Sequence, residues 1–163
     1  MRADIELLKA DIRDEMGKIE RLYQEFMAME EKLNLSEDSI TNYDKVVIGY
    51  FMHNFYNGCE NIFRSIARFF ENDLSADSWH KDLLRRMTFE IKGFRPRVIS
   101  EQLYLLLDDF RGFRHKFRYT YSFELDWERE KVVAHKFKKT WEGMQNEMKS
   151  LIGKLDSISE DAM

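Results

Sequence analysis

The chain has 163 residues, 44% hydrophobic and 34% charged, with 13 Phe, 7 Tyr, 9 Met and a single Pro, a balance that supports one helix-rich domain with its own core and excludes disorder except at the ends. A formal net charge of −4 excludes a protein that coats nucleic acid over its whole surface, so any RNA contact must be local. One cysteine, Cys59, with no CxxC or His-Cys spacing, leaves neither an intramolecular disulfide nor a thiolate metal site, and no cofactor or metal is expected.

The opening MRADIELLKADIRDE carries charges throughout and no apolar run approaches the length of a membrane span, so the expected location is the cytoplasm. From Asp4 to Leu33 the apolar positions Ile5, Leu8, Ile12, Met16, Ile19, Leu22, Phe26, Met29 and Leu33 advance by threes and fours, predicting a long amphipathic first helix. A seam this regular could also pair with a second subunit. The polar stretch Asn34 to Asn42 offers Ser36, Ser39 and Thr41 as N-caps, so the chain turns there.

A second helix is predicted from Tyr43 to Phe70. Its aromatic and aliphatic residues are too numerous for one narrow stripe, which places it at the centre of a bundle. Within it His53, Asn54, Asn57, Glu60, Asn61 and Arg64 set polar groups among aromatics. Those that are buried need partners; hydrogen bonds between helices are the ordinary reading, Glu60 paired with an arginine of the later basic strip is the sharper alternative, and His53 reads as a packed or exposed residue. Glu71 to Ser78 is another polar turn, with Ser78 as cap of a short third helix, Trp79 to Glu90.

Gly93 and Pro96 then break the pattern in a loop whose Lys92, Arg95 and Arg97 could add a phosphate contact, and Ser100 starts a long helix that reads on toward Trp127. Asp126 is the expected N-cap of a final helix from Trp127 to about Leu155, with Glu128 and Glu130 in its first turn. The expected whole is an all-α, up-and-down bundle of about five helices, one domain over residues 1–156 with a frayed tail at 157–163.

The stretch Leu103 to Trp127 gathers titratable groups more densely than any other. At about 100° per residue, Leu103, Leu106, Phe110, Phe113, Phe117 and Tyr121 fall within roughly 80° and make its apolar stripe. Arg114, Arg118, Arg111, His115 and Tyr119 follow across the next arc of about 140°. RGFRHKFR, which includes Lys116, carries no acid. Clustered guanidinium groups repel one another, and a bound anion relieves that. Phosphate suits arginine because the planar guanidinium fork donates two N–H bonds at a time, and imidazole titrates near neutrality. A solvated flank, its arginines paired with Asp108, Asp109 and Glu124, is the ordinary alternative.

The run HNFYNGCENIFRSIARFF, then WHKDLLRRM, RPRVISEQL and FRGFRHKFRYTYSFELDW, resembles the HEPN superfamily, specifically HepT-like toxins of bacterial toxin–antitoxin pairs. The similarity extends over most of the chain and is weakest in the first helix. It implies a helical bundle that forms a homodimer, with two copies of a motif lining a shared cleft. That motif is an arginine, four residues, a histidine, one residue and a tyrosine; here it reads Arg114, HKFR, Tyr119, Thr120, Tyr121, so a tyrosine stands in the histidine position.

The resemblance implies metal-independent cleavage of RNA, with tRNA a candidate substrate, Arg114 stabilising the transition state and the residue at 119 in proton transfer. It also implies an antitoxin nucleotidyltransferase that silences the toxin by attaching AMP to Tyr121. Phenols, protonated at neutral pH, are poor general bases. His115, one turn before Tyr119 and paired in spacing with Arg111, is the expected substitute imidazole, and Arg118 and Lys116 are expected to hold phosphate. A HEPN protein that keeps the cleft for nucleotide, RNA or partner binding without cleavage is the alternative.

Overall fold

The computed structural model describes residues 2–71 and 79–161, so the expected turn from Glu71 to Ser78 lies, beyond Glu71, outside the described residues, as does the Ser78 cap. The helices are α1 (Arg2–Met27), α2 (Asn42–Glu71), α3 (Trp79–Arg86), α4 (Glu101–Tyr119), α5 (Trp127–Ala134) and α6 (Phe137–Asp161), with 3-10 turns at Glu30–Asn34 and Ser122–Glu124. The described residues form an all-α bundle with no strand, as the periodicity predicts, and none of their helices is long and apolar enough to cross a membrane.

Cross-contacts set the helix directions. Ile19 approaches Gly58 and Phe26 approaches Phe51, so α1 and α2 run antiparallel. Phe117 packs at Gly49 while Arg114 reaches Glu60, which makes α2 and α4 antiparallel. Ser100 bonds Glu147 and Phe110 packs on Phe137, so α4 and α6 oppose each other, as do α1 and α6 through Lys9 with Asp156 and Trp141 with Glu20. Four long helices thus alternate up and down. The second is central, as expected, because α2 touches α1, α3, α4 and α5.

Phe137 is the hub of the core: its ring lies 4.3 Å from Phe26, 4.7 Å from Phe55 and 5.5 Å from Phe110. The apolar seam of α1, Ile5, Leu8, Ile12, Ile19 and Phe26, is buried within the chain itself, so it is not free to seat a second subunit. Two glycines permit the closest helix approaches. A Cβ on Gly58 would come within 2.8 Å of Ile19, and one on Gly49 within 2.5 Å of the Phe117 ring.

Three of the expected caps form: Thr41 Oγ1 accepts from Asp44 N at 3.1 Å, Ser100 Oγ from Leu103 N at 3.1 Å, and Asp126 Oδ1 from Arg129 N at 3.4 Å. Three expectations are corrected. The helix from Ser100 stops at Tyr119, because β-branched Thr120 is extended (φ −110°, ψ 133°) and its hydroxyl donates to the Lys116 carbonyl at 2.6 Å. Tyr121 therefore lies off the helix. The final helix is broken at His135 and Lys136 and resumes as α6, which stays helical through the expected tail to Asp161, with Ser159 buried and Ile158 packed on the core.

The third correction is the basic loop. Arg95 turns inward, is 2% exposed, donates to the carbonyls of Arg86, Phe89 and Pro96, and pairs with Glu71 at 3.3 Å. It fastens the α3–α4 connection to α2 and is not a phosphate contact; Lys92 and Arg97 remain exposed.

Candidate functional site

The buried face of α4 is Leu103, Leu107, Phe110 and Arg114. Arg114 therefore occupies a core position where the sequence predicts the edge of the polar strip. A guanidinium survives there because α2 meets both of its terminal nitrogens with acceptors and its face with an aromatic ring. Arg114 Nη1 donates to Asn57 Oδ1 at 2.8 Å and to Glu60 Oε1 at 3.1 Å, and Nη2 to Glu60 Oε2 at 3.1 Å. The guanidinium carbon lies 4.6 Å from the centre of the Tyr56 ring. Arg64 adds a second contact to Glu60 at 3.4 Å. Of the two readings of Glu60, the pairing with an arginine of the basic strip is the one formed, and it is two-pronged, the geometry that makes Arg–carboxylate bonds strong.

Asn57, Glu60 and Arg64 recur at helical spacing on the flank of α2 that faces α4, and His53 extends that row by one turn. His53 Nε2 sits 3.1 Å from Asn57 Nδ2, and its ring is tilted against Phe117 at 5.8 Å. Burial, reinforced by Arg114 and Arg118, holds the His53 pKa below the ordinary imidazole value. Tyr56, fully buried with no partner for its hydroxyl, has its pKa pushed up by burial and by Glu60.

The other expected site residues lie outside this cluster. Arg111 is tied to Asp108, Nε to Oδ1 at 2.8 Å, as the solvated-flank alternative expects. Arg118 is exposed. His115 is exposed and meets Tyr119 edge-on at 5.4 Å; Tyr119 is itself 76% exposed. Tyr121, 68% exposed, stacks flat on Phe123 with the rings 3° from parallel. Arg111, His115, Arg118 and Tyr119 do share one outer flank of α4 by their spacing, but Arg114 has turned inward from it.

Lys116 projects from the opposite flank, where it lines a cavity of about 390 Å³ with Phe113, Phe117, Leu125, Val133 and Glu130. Glu130, expected in the first turn where an acid suits the helix dipole, is 2% exposed and neither of its oxygens has a hydrogen-bond partner. Burial, opposed by Lys45 and aided by Glu37, raises its pKa to about 8. The cause is Trp127, pinned by its Nε1 to the Leu35 carbonyl at 2.8 Å, which draws the first turn of α5 into the bundle. Among the described residues no group of three His, Cys, Asp or Glu side chains could hold a metal ion.

His53 and Asn57 are the site residues that sequence reasoning missed. Their spacing from Glu60 was a usable signal, but only the arginine from α4 gives it meaning. A family model described as HepT-like protein matches residues 47–155, a span that contains every residue of this cluster. Comparisons with curated proteins and with solved structures give no match. With two thirds of its length and the whole of its buried arginine site inside that span, the chain belongs to the HepT-like family of the HEPN superfamily.

Proposed function

We propose that the protein is a HepT-like toxin, a ribonuclease that cleaves RNA without a metal ion and is held silent by a nucleotidyltransferase antitoxin. The observation that carries this reading is Arg114. It stands at the arginine position of the family motif, and Glu60 and Asn57 hold its guanidinium in one orientation, which is what electrostatic stabilisation of a phosphorane-like transition state requires. Arg118 and Arg111 on the outer flank, with Lys116 from the other side of α4, would bind the RNA backbone; His115 and Tyr119 are the candidates for proton transfer. Two copies of the chain would face their α4 helices across a cleft.

Tyr121 is the proposed site of AMP attachment. Its exposed phenol, on the extended segment after α4, is open to a transferase, and an AMP there would add charge and bulk beside the motif. The second reading is a binding module that keeps the cleft without cleaving. It is favoured by Tyr119 in the histidine position and by the full engagement of Arg114 with α2.

Incubating the purified chain with total tRNA in excess chelator tests both. Discrete cleavage products support the ribonuclease; retention of intact RNA on a filter with no products supports the binding module. Neither products nor retention would remove RNA from the account.

A further inference from the structure

The motif histidine is absent, and the substitute on α4, His115, faces Tyr119 on the outer flank. Among the described residues the imidazole hydrogen-bonded into the Arg114 cluster comes instead from α2. The chemistry of that bond fixes more than a distance. A guanidinium can only donate, so the Asn57 group 2.8 Å from Arg114 Nη1 must be the amide oxygen. The amide nitrogen then faces His53 Nε2 at 3.1 Å and donates to it. Nε2 must therefore carry a lone pair, and the ring is neutral with its proton on Nδ1. Nδ1 is buried without a partner, so the Asn57 bond is the one that holds the ring.

We propose that His53 is a positioning residue of the Arg114 site, acting through Asn57: neutral, it holds the amide in the one orientation that gives Arg114 its acceptor, and protonated, it turns that amide round. The inference rests on the ribonuclease reading only for its functional consequence. Protonation places a hydrogen on Nε2, which can no longer accept from Asn57. The amide then rotates so that its oxygen accepts from His53 and its NH2 group faces the guanidinium, and Arg114 keeps Glu60 but loses Asn57. The charged groups that act on His53 are Arg114 and Arg118 of α4, both of which oppose its protonation; the nearby Glu60 carboxylate is already held by Arg114 and Arg64. Phe117 covers the ring from α4.

The direct test is 15N NMR of the full chain with labelled histidine, which reads the tautomer whether or not RNA is cleaved. The expected result at neutral pH is a His53 with hydrogen on Nδ1 and a bare Nε2, converting to a tautomer mixture in Asn57→Ala. A hydrogen on Nε2, or a tautomer unmoved by Asn57→Ala, overturns the proposal while leaving the ribonuclease reading standing. The functional arm uses two variants. His53→Leu cannot orient the amide and should lower kcat by about tenfold, the worth of one lost hydrogen bond, with KM retained. His53→Gln can accept from Asn57 through its side-chain oxygen and cannot titrate, so it should restore kcat and abolish the fall in activity on the acid side. A Gln variant as impaired as the Leu variant, or one that keeps the acid limb, also contradicts it. If the parent does not cleave RNA at all, the ribonuclease reading fails and the tautomer alone decides the role of His53.

Discussion

Glu60 receives both terminal nitrogens of Arg114, each oxygen at 3.1 Å, inside the bundle where both side chains are almost wholly shielded from water. An ion pair in this setting adds little net stability over an apolar pair, but either member left alone is a buried charge. Arg114 is therefore a folding residue as well as a candidate catalytic one.

Arg114→Ala should destabilise the chain by up to about 3–5 kcal/mol, because Glu60 loses its two-pronged partner and keeps the longer 3.4 Å contact with Arg64. Thermal melts of Arg114→Ala beside the double variant Arg114→Gln, Glu60→Gln check this. The double variant should recover part of the loss, since two amides can pair across the space where the carboxylate has lost its two-pronged partner. Equal melting of single and double variants would mean that Arg64 or solvent compensates Glu60 in full.

Stability should depend on pH through Glu130. Its folded pKa, about 8, lies above the ordinary glutamate value of 4.5, so the fold holds a proton that the unfolded chain releases. The neutral carboxyl's contribution is complete below pH 4.5 and is lost as pH rises through about 8. Against Glu130→Gln, which has nothing to ionise, the parent should lose about 1.4 kcal/mol per pH unit across that window. Urea midpoints of both proteins at pH 5 and pH 8 give the comparison, and parallel curves would show Glu130 to be solvated.

Glycines on the two helices of the site should respond oppositely. A Cβ on Gly49 meets the Phe117 ring at 2.5 Å and Glu130 Oε1 at 2.9 Å, so Gly49→Ala should cost about 1–3 kcal/mol and displace the ring that covers His53. A Cβ on Gly112 has nothing within 4 Å, so Gly112→Ala should be neutral or stabilising by up to about 1 kcal/mol. Denaturant melts distinguish them, and equal effects would mean that α2 and α4 are not in close contact at Gly49.

The chain should sediment as a dimer at micromolar concentration. With the α1 seam spent internally, an apolar surface that can seat a second copy beside the α4 cleft is the outer stripe of α2, where Tyr43, Val47 and Tyr50 stand exposed at helical spacing. Tyr50→Glu should shift the population toward monomer. A parent that sediments as a monomer would remove the shared cleft.

Much of the bundle was legible in the periodicity: four long helices, the central place of α2, and the caps at Ser100 and Asp126 all follow from local spacing. The inward turn of Arg114 was not. On α4 alone it lies at the margin of the stripe, and only Glu60 and Asn57 on another helix make a buried guanidinium tolerable. Tyr121 was misplaced because neither Gly nor Pro marks the end of α4; Thr120 ends it by a side-chain bond to Lys116. His53 looked unremarkable because its role depends on the orientation of an amide that an arginine far along the chain dictates.

The central claim is that Arg114 serves phosphodiester cleavage beyond its part in the fold. Arg114→Lys separates the two, because lysine keeps one charge on Glu60 but cannot present a planar fork. Cleavage of tRNA in excess chelator should occur with the parent and fall by about 100-fold or more in Arg114→Lys, with circular dichroism showing the variant still folded. A folded Arg114→Lys that cleaves as fast as the parent would contradict the account.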